Sequence, residues 1–176
     1  MSARTVLHDA DITRALTRIA HEILESNRGG ENLVLLGIPT RGVALAQRLG
    51  RLIAEIAQTS VPVGSLDVTL FRDDLAKHPT RSPHPTDIPA DGIDDRTVVL
   101  VDDVLFSGRS IRAALDALQS IGRPAAVRLA ILVDRGHREL PIRPDFVGKN
   151  IPSSRQERVN VRLREYDGAE EVTIEA

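Results

Sequence analysis

Two adjacent carboxylates, Asp102 and Asp103, follow four apolar residues at 98–101 and precede a short loop holding Ser107 and Gly108. The apolar run predicts a strand buried on both faces, as in a parallel sheet. A helix is predicted from about Ser110, with Ile111, Ala114, Leu115 and Leu118 at helical spacing. Ligands of open α/β sheets bind at the carboxyl ends of the strands. The free amides that open the following helix can receive an anion. An acid pair beside a phosphate cradle suits sugar hydroxyls next to a phosphate, which points to a phosphoribosyl group.

Other chemistries end an apolar strand in acids. The magnesium strand of a P-loop ATPase does, but it needs a G-x-x-x-x-G-K-[ST] loop upstream, and this chain has none. A receiver domain carries its acids near the start of its fold, whereas here about a hundred residues come first. A surface turn does not explain why an apolar strand should deliver two carboxylates into a Ser/Gly loop.

A second constellation, Gly37-Ile38-Pro39-Thr40-Arg41-Gly42, follows a predicted buried strand at 33–36. Gly37 and Gly42 allow unusual backbone angles and close approach of a ligand. Arg41 offers a charged fork for phosphate oxygens, and Thr40 adds a hydroxyl and an amide. One loop would then hold a 5′-phosphate and the other a pyrophosphate.

The elements that must position these loops alternate along the chain. Asp9 or Asp11 is expected to cap a first helix reaching about Asn27, which Gly29-Gly30 ends. A second helix is expected over 43–57, with Val43, Ala46, Leu49, Ile53 and Ile56 inward. Strands are expected at 63–71, 127–133, near Phe146 and at 159–163. Strands alternating with helices favour a mostly parallel sheet in a single α/β domain spanning 1–176. The stretch 72–95, with four prolines and few apolar residues, is expected to be a long mobile loop just ahead of the acidic strand. It is either an active-site lid or a passive surface loop.

Composition agrees with a cytoplasmic enzyme. The 176 residues contain no cysteine, so there is no disulfide, thiolate nucleophile or cysteine metal site. No apolar run approaches a membrane span, and the N-terminus lacks the apolar core of a signal peptide. A net charge of −2 argues against a wholly basic nucleic-acid binder but leaves room for a basic patch.

The acidic segment resembles the phosphoribosyl-pyrophosphate signature of type I phosphoribosyltransferases. Nearly end to end, the chain resembles the bacterial pyrimidine operon regulators that are also uracil phosphoribosyltransferases, the PyrR family. The blocks that carry this likeness are 14–22, Thr40-Arg41-Gly42, 67–74, the acidic signature, 133–143 and 146–152. The resemblance implies a central sheet with a small hood, formed by about 1–12 and 134–176. It implies that Asp102 and Asp103 hold the ribose hydroxyls and, through water, Mg²⁺. Val104, Leu105, Phe106, Ser107, Gly108, Arg109 and Ser110 would wrap the 5′-phosphate, with Thr40, Arg41 and Gly42 on pyrophosphate. Arg72, Asp73 and Asp74 would close over the site. Arg135, His137, Arg138, Phe146, Val147 and Ile151 would form the hood over uracil, with a solvated charged turn as the plain alternative for the three charged residues.

On the first predicted helix, Arg14, Thr17, Arg18 and His21 recur at three- and four-residue spacing as one partly basic stripe. Such a stripe is ordinarily a solvated face. The resemblance implies that it belongs to an RNA-binding surface of a homo-oligomer, at least a dimer, together with later basic residues such as Arg143 and Lys149. UMP or UTP would control binding to pyrimidine operon mRNA. Two alternatives stay open: a nucleotide-sensing RNA regulator with vestigial catalysis, and a purine phosphoribosyltransferase.

Overall fold

The computed structural model describes residues 2–73 and 85–176. In chain order the elements are β1 (Arg4–Leu7), α1 (Asp9–Asn27), β2 (Leu33–Gly37), α2 (Arg41–Ala57), β3 (Val63–Ser65), a 3₁₀ turn (Thr69–Phe71), β4 (Thr97–Leu105), α3 (Arg109–Gln119), β5 (Ala126–Asp134), β6 (Phe146–Asn150), β7 (Arg158–Arg162), α4 (Arg164–Asp167) and β8 (Glu171–Glu175). Five strands form a parallel sheet in the order β3-β2-β4-β5-β6. β1, β8 and β7 form a smaller antiparallel sheet.

Strand alternation gives the large sheet two buried faces. Leu33, Leu35, Val99, Val101, Ala130 and Leu132 pack with α1 and α2, while Val34, Leu36, Val98, Leu100, Leu129 and Ile131 pack with α3. This covering on both sides is why 98–101 is unbroken apolar sequence. Leu7, Val161, Val172 and Ile174 of the small sheet, with Leu163 just after β7, join the same buried cluster as α1 and α2. The small sheet, drawn from 4–7 and 158–175, falls within the stretches expected to form the hood. Residues 146–150 belong to the large sheet, and α1 already begins at Asp9.

Several local expectations change. The residue before α1 is His8, whose N–H donates to the Asp11 carboxylate at 2.9 Å, so Asp11 acts from inside the first turn. Arg28 takes the left-handed conformation that ends α1 (φ 55°), with the Gly29 N–H on Leu24 O. α2 starts at Arg41 and turns Ala46, Leu49 and Ile53 inward together with Ala44 and Leu45. Val43 is half-buried and Ile56 is exposed, because the inner stripe runs one position away from them. The strand expected over 63–71 stops at Ser65. Asp67 Oδ1 accepts from the Thr69 N–H and hydroxyl, an Asx turn that breaks the strand into the 3₁₀ turn.

The expected loop 72–95 is also narrower where it is described. Asp87 pairs with Ser65 by two backbone bonds of 2.9 Å, and Asp67 N–H donates to the Thr86 hydroxyl. A Cβ on Gly64 would lie 2.1 Å from Asp87 O, so only glycine lets the returning chain cross β3 this closely. Ile93 is fully buried.

Candidate active site

Parallel pairing brings the carboxyl ends of β2, β4, β5 and β6 to one side of the sheet. β4 does not stop before its acids, as expected, but runs on through them, with Asp102 opposite Ile131 and Val104 opposite Val133. Asp102 Oδ1 accepts the Asp103 N–H at 2.8 Å, and Asp103 Oδ1 accepts the Val104 N–H at 2.7 Å. These bonds fix the direction of both half-buried carboxylates.

A cavity of about 60 Å³ is lined by Asp102, Val104, Leu105, Phe106, Ser107, Gly108, Ser110 and Ile111. It places an acid of the pair directly against the loop that opens α3. Gly108 precedes that helix at φ 94°, a conformation that strains any other residue. Ser107 Oγ accepts from the Arg109 N–H, and Ser107 O accepts from Glu139 and Leu140, which ties the loop to the segment after β5. Leu105 is buried and serves as core beneath the loop.

The 37–42 loop lies alongside. A Cβ on Gly42 would sit 2.4 Å from Val101 O and 3.3 Å from Asp102 Cα, and one on Gly37 would meet Gly42 O at 2.4 Å. Ile38 N–H also donates to Val101 O. Neither glycine has positive φ. Both are required by the chain's approach to its own backbone, a different reason from the ligand contact expected of them.

Arg41 leads α2 into this corner, and its partner was not foreseen. Its Nε and Nη2 donate to the two carboxylate oxygens of Asp167, on α4, at 3.0 and 2.6 Å. Asp167 Oδ2 also accepts the Leu163 N–H at 2.8 Å. The Arg41 donors hold the Asp167 carboxyl below its ordinary range, and the same contact raises the guanidinium. Asp103 adds attraction for Arg41. Seven residues along α2, Arg48 grips Glu165 within α4 and Glu170 just beyond it, and these contacts raise its pKa. No local signal in sequence links residues 41 and 167; only an acid-rich stretch, 165–171, stands there to be noticed.

The residues expected to form a base hood divide. Arg135 is buried, its guanidinium 4.2 Å from the centre of the Phe106 ring, and it donates to Ser153 Oγ, Ser154 O and Glu157 O. Desolvation lowers its pKa. The His137 ring lies 5.8 Å from Phe106 and meets Ser153 O at 2.5 Å. Both therefore gather on Phe106 of the 104–110 loop. Arg138 instead bonds Ile142 O, Phe106 O and Asp134 Oδ2, tying the loop after β4 to the end of β5 and the segment that follows it. Phe146 pairs with Ala130, well back from the strand ends, and lines a small gap with Ile23 and Leu33. It is core because the parallel register sets it at the far end of β6. Val147 follows it, half-buried; Ile151, buried, donates its N–H to Asp134 O at the carboxyl end.

Arg72 ends the 3₁₀ turn, and Asp73 pairs with Arg109; Asp74 lies outside the described residues. On α1, Arg14 pairs with Asp11 and Thr17 bonds Thr13 O, with Arg14, Arg18 and His21 exposed on one face. Arg18 reaches the carbonyls of Val147 and Gly148, which puts exposed Lys149 beside the stripe. Arg143 lines a cavity of about 200 Å³ against α3, on the opposite side of the sheet.

The phosphoribosyl transferase domain model matches residues 2–164. A bifunctional protein PyrR from Leifsonia xyli is 66% identical over 99% of this chain and 98% of its own length. One from Streptomyces coelicolor is 63% identical over 99% and 90%. Among solved structures, a hypoxanthine-guanine phosphoribosyltransferase from Bacillus anthracis superposes with a TM-score of 0.74, covering 98% of each chain at 16% identity. At that identity the likeness is one of fold.

Proposed function

Because the chain belongs to the phosphoribosyl transferase domain family, and within it to the bifunctional PyrR proteins, we propose that it converts uracil and phosphoribosyl pyrophosphate to UMP and pyrophosphate and also regulates pyrimidine genes by binding mRNA. The observation that carries the enzymatic half is the cavity joining Asp102 to Ser107, Gly108 and Ser110, with Gly42 packed on Asp102 from the other loop. On this reading two anion sites flank one acid pair.

The reaction needs no covalent nucleophile. Uracil N1 attacks the anomeric carbon as the bond to pyrophosphate breaks, through an oxocarbenium-like transition state. Asp102 and Asp103 hold the ribose hydroxyls and face the positive charge that develops on the ring. The 107–110 amides and hydroxyls hold the 5′-phosphate, and Arg41 receives charge on the leaving pyrophosphate. Among the described residues there is no cluster of three or more metal-ligating side chains. Two adjacent carboxylates fit Mg²⁺ that keeps its waters and arrives on the substrate's phosphates. When bound, the cation neutralises the leaving group.

The stacked Phe106, Arg135 and His137, with Ile151 nearby, form the wall against which uracil is read. The regulatory surface is the α1 stripe of Arg14, Thr17, Arg18 and His21, continued by Lys149. UMP or UTP in the catalytic site is coupled to RNA there, each changing the other's affinity by the same factor. The working unit is a cytoplasmic homo-oligomer, at least a dimer, of one-domain chains; the buried cluster common to both sheets supports the single domain.

UMP formation from uracil, phosphoribosyl pyrophosphate and Mg²⁺ tests the reading, with Asp102→Asn/Asp103→Asn as the comparison. Turnover lost in the double variant and little inhibited by hypoxanthine supports it. Folded wild type that binds UMP without turnover points to a regulator with vestigial catalysis.

A further inference from the structure

A guanidinium has two edges that can each receive an oxyanion: Nε with one Nη hydrogen, and the end formed by Nη1 and Nη2. Arg41 uses the first on Asp167, as a fork with both oxygens engaged. Among the described residues, Nη1 makes no hydrogen bond. The carboxylate is itself fixed, because Oδ2 accepts the Leu163 N–H and the Asp167 N–H donates back to Leu163 O. Its short helix is anchored by Arg48 through Glu165 within the helix and Glu170 just after it. The fork is half-shielded, with side-chain exposures of 32% for Arg41 and 18% for Asp167.

We propose that Asp167 is a positioning residue for the transferase reaction, supplied by the hood, which holds Arg41 side-on so that its Nη1/Nη2 end faces the pyrophosphate position. The inference rests on the reading of Arg41 as a pyrophosphate ligand. A flexible arginine would lose rotamer freedom on meeting the anion; one already held by a fixed carboxylate has lost it on folding. The substrate need not displace Asp167, because it meets the other edge. The placement also makes the pyrophosphate site dependent on the small sheet and α4, whereas the base wall stands on the ends of β4, β5 and β6.

Inhibition by inorganic pyrophosphate, with KM for both substrates and kcat, is measured in wild type, Arg41→Lys, Asp167→Asn, Asp167→Glu and Arg41→Lys/Asp167→Asn. Asp167→Asn is expected to raise the pyrophosphate inhibition constant and the phosphoribosyl pyrophosphate KM about 3- to 10-fold, with the uracil KM changed less than about 2-fold. Lysine cannot be held as a fork, so the double variant is expected to match Arg41→Lys alone; a merely structural Asp167 would give additive losses. Asp167→Glu, which keeps the charge, is expected to recover part of the loss and guards against an Asn variant that does not fold. Unchanged or tighter pyrophosphate binding in Asp167→Asn, or additivity in the double variant, overturns the proposal. If Arg41→Lys itself leaves pyrophosphate inhibition unaltered, the reading of Arg41 fails and takes this one with it.

Discussion

Arg109 and Asp73 meet at 2.5 Å, joining the first residue of α3 to the chain that leaves the 3₁₀ turn. The same guanidinium reaches Glu139 at 3.1 Å, so three segments around the phosphate loop converge on one exposed arginine. Arg109→Ala is expected to raise the KM for phosphoribosyl pyrophosphate about 3- to 10-fold while changing that for uracil little, because a phosphate-side support is lost and the base wall is not. Steady-state kinetics with each substrate varied in turn checks this.

Gly42→Ala tests the contact between the two anion loops. The added carbon would lie 2.4 Å from a backbone oxygen of the central strand, which cannot swing aside as a side-chain tip can. The expected cost is about 2–3 kcal/mol, a fall in Tm of roughly 5–10 °C, with activity lost along with it. Thermal unfolding followed by circular dichroism measures the first, and UMP formation the second.

Arg48 holds the hood from the side. Its side chain is 17% exposed, and that of Glu170 only 6%, so removing the arginine strands a nearly buried carboxylate. Arg48→Met is expected to destabilise the protein by about 2–4 kcal/mol, and Arg48→Met/Glu170→Leu to recover much of it. Urea unfolding midpoints decide; no recovery in the double variant would contradict the assignment.

Asp167 and Glu165 are both held below the ordinary carboxylate range, chiefly by the forks from Arg41 and Arg48. A carboxyl depressed in the folded state contributes stability above its unfolded pKa and loses it as pH falls through its folded value. Tm is therefore expected to vary little between about pH 6 and 8 and to fall below about pH 4. Arg48→Met should show a shallower acid decline than wild type.

RNA affinity supplies a spatial test. Arg14→Ala and Lys149→Ala are each expected to weaken binding and to reduce the salt slope by about one. Arg143→Ala, on the α3 side of the sheet, is expected to leave both unchanged, which binding titrations at several salt concentrations would show.

What could be read from sequence was local. The unbroken 98–101 run, the acids after it and the Ser/Gly turn all lie within one strand–loop–helix unit, and the structure keeps them together. Period and composition also found the central strands of the large sheet. The strands of the hood were less readable: β1 and β8 were missed because each is short and gains its meaning only by pairing across more than 160 residues. The positions of Phe146 and Arg138 were unreadable for a related reason. Register, rather than residue type, decides which end of β6 a phenylalanine occupies, and three long-range acceptors decide where a guanidinium points. Only the acid-rich stretch 165–171 marked the neighbourhood of Asp167, and nothing in it pointed to Arg41.

The chain has no tryptophan and a single tyrosine, Tyr166, which is 47% exposed and adjoins Asp167 on α4. Its phenol is within electrostatic reach of Arg41. All ultraviolet emission from the protein excited near 280 nm therefore originates one residue away from the Arg41–Asp167 fork. Pyrophosphate does not absorb there, so on the proposed reading of Arg41 its binding is open to an optical test in the unlabelled wild-type chain, without a dye or a reporter mutation.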